Sequence, residues 1–221
     1  MMIELTNLKQ NTHLWIHRWL RCCLHCGAGP AGDSLFCGIC ENFLWQAHPE
    51  NHHFSTEKSD LPGIALFEWH PDQDRRLSKL MLQLKGGRLQ TSFDRYAEKF
   101  VSRMPAIDCL NSILVPCPGK SRRLHSQALA RAFSQILDIP IFDLLEKNSQ
   151  KAQKGRTKRD REKTKFTLKA PIPSRKHVIF IDDIVTSGST AHAAAQALKS
   201  TPGFQVWCLA RRRQLATELS L

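Results

Sequence analysis

The apolar residues of this chain fall into short runs and helical stripes separated by polar turns. The densest run, Val178-Ile179-Phe180-Ile181, is rich in β-branched and aromatic side chains and predicts a short buried strand. Ile113-Leu114-Val115 predicts a second buried strand, Ile64 to Trp69 a third, and Val206 to Leu209 an edge or near-edge strand. Helical spacing links Leu77, Leu80, Met81 and Leu84, and again Phe93, Tyr96, Ala97, Phe100, Val101 and Met104. A further helix is expected from about Leu124 to Leu137, with Leu129, Ala132, Phe133 and Ile136 as its apolar face. Ala191 to Leu198 is alanine-rich and reads as a helix directly after the central strand. Strands alternating with helices predict an α/β fold, a mostly parallel sheet flanked by helices with its site at the strands' carboxyl ends.

Polar stretches divide the chain. Residues 1–20 form an N-terminal extension that opens polar and lacks an apolar core of signal-peptide length. Residues 46–62 hold His48, His52, His53 and two prolines and read as a solvated linker. The length of 221 residues suits one α/β domain over 63–221 plus a small attachment over 21–45. No apolar run approaches the roughly 20 residues of a membrane span, so a soluble, cytoplasmic protein is expected.

Charge changes the picture in one region. The chain carries a net charge of +12, and residues 146–176 alone hold twelve Lys or Arg against three acidic residues, a net of +9. With only Phe166, Leu168 and Ile172 as large apolar residues, this stretch reads as a flexible basic loop. Lys154, Arg156, Lys158, Arg159 and Arg161 are its candidate contacts to a polyanion. The strand at Ile113–Val115 ends in a second basic turn, where Gly119, Lys120, Arg122 and Arg123 suit a pyrophosphate. Lys85-Gly86-Gly87-Arg88 reads as a basic surface turn, and Arg211-Arg212-Arg213 adds a basic tail.

The chemistry centres on the exit of the central strand. Asp182 and Asp183 stand there, followed by Thr186, Ser187, Gly188, Ser189 and Thr190 at the start of the alanine-rich helix. The first N–H groups of a helix lack internal partners, so a strand, a turn of small residues and a helix make a phosphate cradle. Each hydroxyl or N–H bond to a phosphate contributes roughly 1.5–3 kcal/mol. Two carboxylates beside a phosphate must face something else, and ribose hydroxyls or Mg²⁺ meet that requirement. A sugar phosphate is the ligand these residues imply. Neither G-x-x-x-x-G-K-[ST] nor G-x-G-x-x-G after a strand is found.

Four of the eight cysteines lie as Cys23-x₂-Cys26 and Cys37-x₂-Cys40, ten residues apart. Four thiolates at this spacing suit tetrahedral Zn²⁺, with Cys22 as an alternative to Cys23. The intervening segment is too polar to build its own core, so a structural metal would supply its folding energy. Cys109, Cys117 and Cys208 lie in apolar contexts and read as packing residues.

The stretch from Asp182 to Thr190 closely resembles the PRPP-binding motif of type I phosphoribosyltransferases. That resemblance implies that the acidic pair holds the ribose hydroxyls of PRPP with Mg²⁺, and that the turn holds its 5′-phosphate. The cysteine pairs, Leu84-Lys85-Gly86, Val115-Pro116-Cys117-Pro118, Gln127, Gln153, Arg161 and the acidic motif together resemble the ComF family of bacterial competence proteins. Where that family carries Arg-Gly-Phe-Asn-Gln, this chain reads Arg123-Leu124-His125-Ser126-Gln127. The resemblance implies a zinc-binding head on a phosphoribosyltransferase-like domain. It also implies action on incoming single-stranded DNA in natural transformation, at the inner face of the membrane, with other uptake or recombination proteins. An active phosphoribosyltransferase with an unknown acceptor and a non-catalytic interaction module remain the alternatives.

Overall fold

In the computed structural model the central strand is longer than its apolar run, because pairing carries it through the acidic residues. The described residues are 22–86, 90–105, 108–119, 124–147, 166–173, 176–198 and 203–213. The cysteine segment ends in α1 (Gly38–Ala47), and β1 (His52–Ser55), β2 (Pro62–Trp69), α2 (Arg75–Gly86) and α3 (Gln90–Val101) follow. Then come β3 (Ser112–Pro116), α4 (His125–Leu137), β4 (Leu145–Lys147) and β5 (Phe166–Leu168). The chain closes with β6 (His177–Val185), α5 (Ser189–Ala197) and β7 (Phe204–Arg212).

Five strands form one sheet in the order β1-β2-β7-β6-β3, parallel except for β1, while β4 and β5 pair as a separate antiparallel ribbon. The expected mostly parallel α/β architecture is thus present. β7, expected at or near an edge, is the middle strand. Its residues Val206 to Ala210 are almost completely buried, as a parallel strand covered on both faces must be.

Alternation along the strands sorts side chains into two cores. Trp207, Leu209, Ile179 and Ile181 meet α2, α3, α4 and the cysteine segment on one face. Val206, Cys208, Val178 and Phe180 meet α5, the β4–β5 ribbon and Phe54 on the other. In the first core Phe100, Phe133 and Trp207 lie mutually edge-on or tilted, 4.9–5.4 Å apart, each pair worth about 0.5–1.5 kcal/mol beyond its buried area. The stripe of α2 is buried as expected, as are Phe93, Tyr96, Ala97 and Phe100 on α3, whereas Val101 and Met104 are half-buried and Met104 lies past the helix end. On α4 the burial is rotated: Ser126 and Ala130 are buried with Leu129, Ala132 and Phe133, whereas Ile136 is 40% exposed.

The expected linker is the main difference. Residues 46–62 carry β1, paired to β2, and Phe54 lies over Gly63 where a side chain would collide with its ring. His48 is 7% exposed and packs edge-on against Phe67 at 5.2 Å. No helix among the described residues is long and apolar enough to cross a membrane.

Candidate functional site

β3 stops opposite Ile181, while β6 runs four residues further, paired only to β7 on its other side. Asp182 and Asp183 therefore stand at the carboxyl edge of the sheet, inside the strand but beside a gap left by its shorter neighbour. The turn after β3 closes that gap partly, since the Cys117 N–H donates to the Ile181 carbonyl at 2.8 Å. Asp182 is only 9% exposed. Its Oδ1 accepts from the Asp183 N–H at 3.0 Å and from Ser126 Oγ at 3.4 Å. Burial, and then the neighbouring Asp183 carboxylate, push the Asp182 carboxyl well above the usual range. A site that holds a carboxyl in this state gains by receiving hydroxyl donors or a cation.

The turn that follows has the conformation a cradle needs. Gly188 adopts φ +76°, opens α5 without any side-chain cap and accepts from the His192 N–H at 2.8 Å. The first N–H groups of α5 are thereby left for a ligand. Ser187 and Ser189 hydroxyls lie 3.0 Å apart, with Thr186 exposed and Thr190 half-buried. A Cβ at Gly188 would stand 2.5 Å from Thr56 Cβ, so the β1–β2 turn is the back wall of the cradle. Thr56 is itself fixed, its Oγ1 accepting from the Leu61 N–H at 3.0 Å.

Among the basic candidates, Gly119 lies on the turn after β3, while Lys120, Arg122 and Arg123 fall outside the described residues. Lys154, Arg156, Lys158, Arg159 and Arg161 also fall outside them, as do Gly87 and Arg88. The ribbon that brackets the basic stretch is described. Lys147 on β4 pairs with Phe166 on β5, and its charge acts on Cys117 together with those of Asp182 and Asp183. The two described ends of the basic stretch, Lys147 and Phe166, thus lie opposite each other in the ribbon.

At the other end of the chain the Sγ atoms of Cys23, Cys26, Cys37 and Cys40 converge, all within 4.8 Å of one another. Cys22 is not among the four; it bridges to Pro30 instead. Cys26 and Cys37 sulfurs are 3.8 Å apart. A tetrahedron with metal–sulfur bonds of about 2.3 Å has an edge of about 3.8 Å, which the Cys26–Cys37 pair matches, and the other sulfurs are close enough for the cluster to hold a metal such as zinc. Burial pushes the Cys23 thiol up, but N–H groups of Cys26, Cys37 and His25 outweigh it and bring it down to about 6. Cys40, buried among the other three sulfurs, is pushed up to about 12. Four sulfurs crowded in this way can hold a metal cation, which would offset their mutual repulsion.

The knuckle is clamped to the sheet domain. The buried Tyr96 hydroxyl donates to the Ser34 carbonyl at 2.6 Å. Glu41 accepts from Ser34 Oγ, Trp45 Nε1 and Arg95 at 2.9–3.1 Å. Sequence reasoning missed Thr56, Ser126 and Tyr96 as contributors. Ser126 had a signal, since it occupies the Asn position of the resembled motif; Thr56 and Tyr96 had none, because their roles depend on contacts across 132 and 62 positions of chain respectively.

Residues 93–213 match the family described as phosphoribosyl transferase domain. The chain is 38% identical over 202 residues to DNA utilization protein YhgH of Escherichia coli O157:H7, covering 86% of this chain and 83% of that protein. It is 37% identical over 198 residues to the proteins of the same name from Escherichia coli K12 and Shigella flexneri, with the same coverage. Sheet, acidic strand exit, cysteine cluster and these relatives together assign the chain to the ComF family of phosphoribosyl transferase domain proteins.

Proposed function

We propose that this protein binds PRPP with Mg²⁺ at the carboxyl end of β6 and handles single-stranded DNA during its uptake, with a structural zinc in the cysteine segment. The observation that carries the reading is the juxtaposition of an acidic pair, Asp182 buried and Asp183 half-buried, with an uncapped helix start opened by Gly188. Asp182 and Asp183 would take the ribose hydroxyls and the cation. Thr186, Ser187, Ser189, Thr190 and the Gly188 backbone would take the 5′-phosphate, and Gly119, Lys120, Arg122 and Arg123 the pyrophosphate. The DNA half is supported by the name of the relatives and by the basic stretch. Its place of action would be the cytoplasm, at the inner face of the membrane, with DNA-uptake or recombination proteins as partners.

Calorimetric titration with PRPP and Mg²⁺ tests the first half. The double variant Asp182→Ala, Asp183→Ala should lose the binding heat while its thermal transition persists, and an unchanged affinity would contradict the assignment. The pH dependence has a definite sign. Asp182 retains its proton in the fold at pH values where an unfolded chain has lost it. Its contribution to stability is therefore present below the ordinary carboxylate range and falls as pH rises through the raised folded value. Binding that requires the ionised pair should tighten over that same window and release a proton. Titrations in buffers of different ionisation enthalpy should give different heats, and a buffer-independent heat would contradict this account.

The DNA half predicts salt dependence. Replacing Lys154, Arg156, Lys158, Arg159 and Arg161 with Gln should weaken binding of a single-stranded oligonucleotide. The slope of log K against log salt should flatten by roughly 0.7 for each phosphate that is no longer neutralised. A variant that keeps the parent's affinity and slope places the DNA-binding surface elsewhere on the molecule.

A further inference from the structure

Three arginines stand at the carboxyl end of β7, and the fold treats them differently. Arg213 is exposed and pairs with Glu68, while Arg212 is exposed with its guanidinium 5.6 Å over Trp69. Arg211 is half-buried, and its guanidinium lies 5.1 Å over the Phe54 ring, on the opposite face of the sheet. Glu68 stands opposite Arg211 in the ladder but is taken by Arg213. Among the described residues the Arg211 side chain has no ion-pair or hydrogen-bond partner. Those residues do not seal its nitrogens from solvent either, so a ligand can reach them. A guanidinium carries five donors, and a half-buried one normally spends them on a carboxylate or a carbonyl.

Two neighbours fix where this cation lies. In the ladder Arg211 is opposite Val185, the last residue of β6 and three positions before Gly188. Its ring partner Phe54 is on β1, two positions before Thr56. These flanks converge, because Thr56 is the residue that a Cβ at Gly188 would meet at 2.5 Å. The guanidinium is therefore held at the corner where the β1–β2 hairpin closes on the turn after β6. Its charge is also felt at Cys208, the β7 residue opposite Asp182. Stacking on Phe54 covers one face of the guanidinium and leaves its N–H edge, the part that takes a phosphate by two parallel bonds. The turn needs such a charge. From Val185 to Ala197 the chain has no Lys or Arg, so the turn brings donors without a fixed positive charge. A phosphate monoester would bring about −1.5 to −2 beside Asp182 and Asp183, and a cation offsets that repulsion.

We propose that Arg211 is the counter-charge of the 5′-phosphate, a PRPP-binding residue that β7 supplies to the Gly188 turn. The assignment rests on the PRPP reading given above and adds a residue from outside the acidic motif and its turn. Phe54 is then a positioning residue, which holds the guanidinium in one plane before the ligand arrives.

The test uses the full, metal-loaded chain, titrated calorimetrically with ribose 5-phosphate, with PRPP and Mg²⁺, and with pyrophosphate and Mg²⁺. Arg211→Gln should weaken ribose 5-phosphate and PRPP by about tenfold or more and leave pyrophosphate unchanged. Arg211→Lys should recover part of that loss, since it restores the charge without the planar fork. Arg213→Gln removes the same charge from the same end of the chain and should keep the parental affinity for all three ligands. Phosphorus NMR adds a readout that lost packing against Phe54 would not move. The ionisation midpoint of bound ribose 5-phosphate should be higher in Arg211→Gln than in the parent, because Asp182 and Asp183 stay while the cation goes. Parental affinity in Arg211→Gln overturns the assignment and leaves the PRPP site standing. Equal losses in Arg211→Gln and Arg213→Gln overturn it as well, since they mark a general field and not a contact. Equal losses in Arg211→Gln and Arg211→Lys with an unmoved midpoint reduce Arg211 to packing. A parent that binds neither ribose 5-phosphate nor PRPP overturns the assignment together with the PRPP reading.

Discussion

Cys40→Ser, or stripping the metal with a chelator, is expected to unfold the cysteine segment and to destabilise the whole chain with it. The segment holds few apolar residues of its own, and Leu24, Phe36 and Leu44 are buried only because they dock on the core beneath α3. Structural zinc sites supply on the order of 10–16 kcal/mol in isolated fingers. Here the loss spreads further, since an unfolded knuckle leaves the Tyr96 hydroxyl without the Ser34 carbonyl and strips Arg95 of Glu41. An unsatisfied buried hydroxyl alone costs about 1–3 kcal/mol. For a chain of this size each kcal/mol moves the melting temperature by roughly 2–4 °C, so the shift should be large in a thermal scan. A metal-free protein, verified by elemental analysis, that melts where the loaded protein does would remove the metal from the account.

Gly188→Val should reduce PRPP affinity by about a hundredfold or more, the equivalent of removing two charge-assisted hydrogen bonds. Two causes act at once. A β-branched residue is strained at φ +76°, and its Cβ would meet Thr56 at 2.5 Å. The steric part can be separated from the conformational part. Gly188→Ala should weaken binding, and adding Thr56→Gly should restore some of that affinity by opening the back wall while the positive φ remains. Calorimetric titration reads both steps. Parental affinity in Gly188→Val would leave the turn with no part in holding the phosphate, whereas full rescue by Thr56→Gly would show that backbone conformation contributes nothing.

The parts legible in the sequence were those fixed by local pattern. Val178 to Ile181 is buried because four consecutive apolar residues suit a strand covered on both faces, and the cysteine spacing led directly to the four sulfurs that converge. The choice of Cys23 over Cys22 was not legible, since either thiol suits the spacing and only the folded chain shows that the converging sulfurs include Cys23. β1 was hidden for another reason. His52-His53-Phe54-Ser55 has one buried side chain, so the strand exists through its ladder with β2 and not through its own propensity. β7 looked like an edge because Gln205 and three arginines flank its apolar residues, yet the charged end projects past the core while the apolar centre fills the middle of the sheet. At the acidic pair, the residue types were readable, but the gap they face comes from the shortness of β3, a property of a neighbour far away in the chain.

The Thr56 contact also bears on whether this architecture can be taken apart. A cut at the apparent boundary near Pro62 would remove the strand that edges the sheet, uncover Gly63 and take away the residue against which Gly188 is seated. The Gly188 turn would then have a face open to water, and neither fragment would be a self-sufficient module. A graft of this phosphoribosyl transferase domain onto another head would have to carry the β1–β2 hairpin with it, so the structural seam of the chain lies before His52 and not at the polar stretch that looks like a hinge.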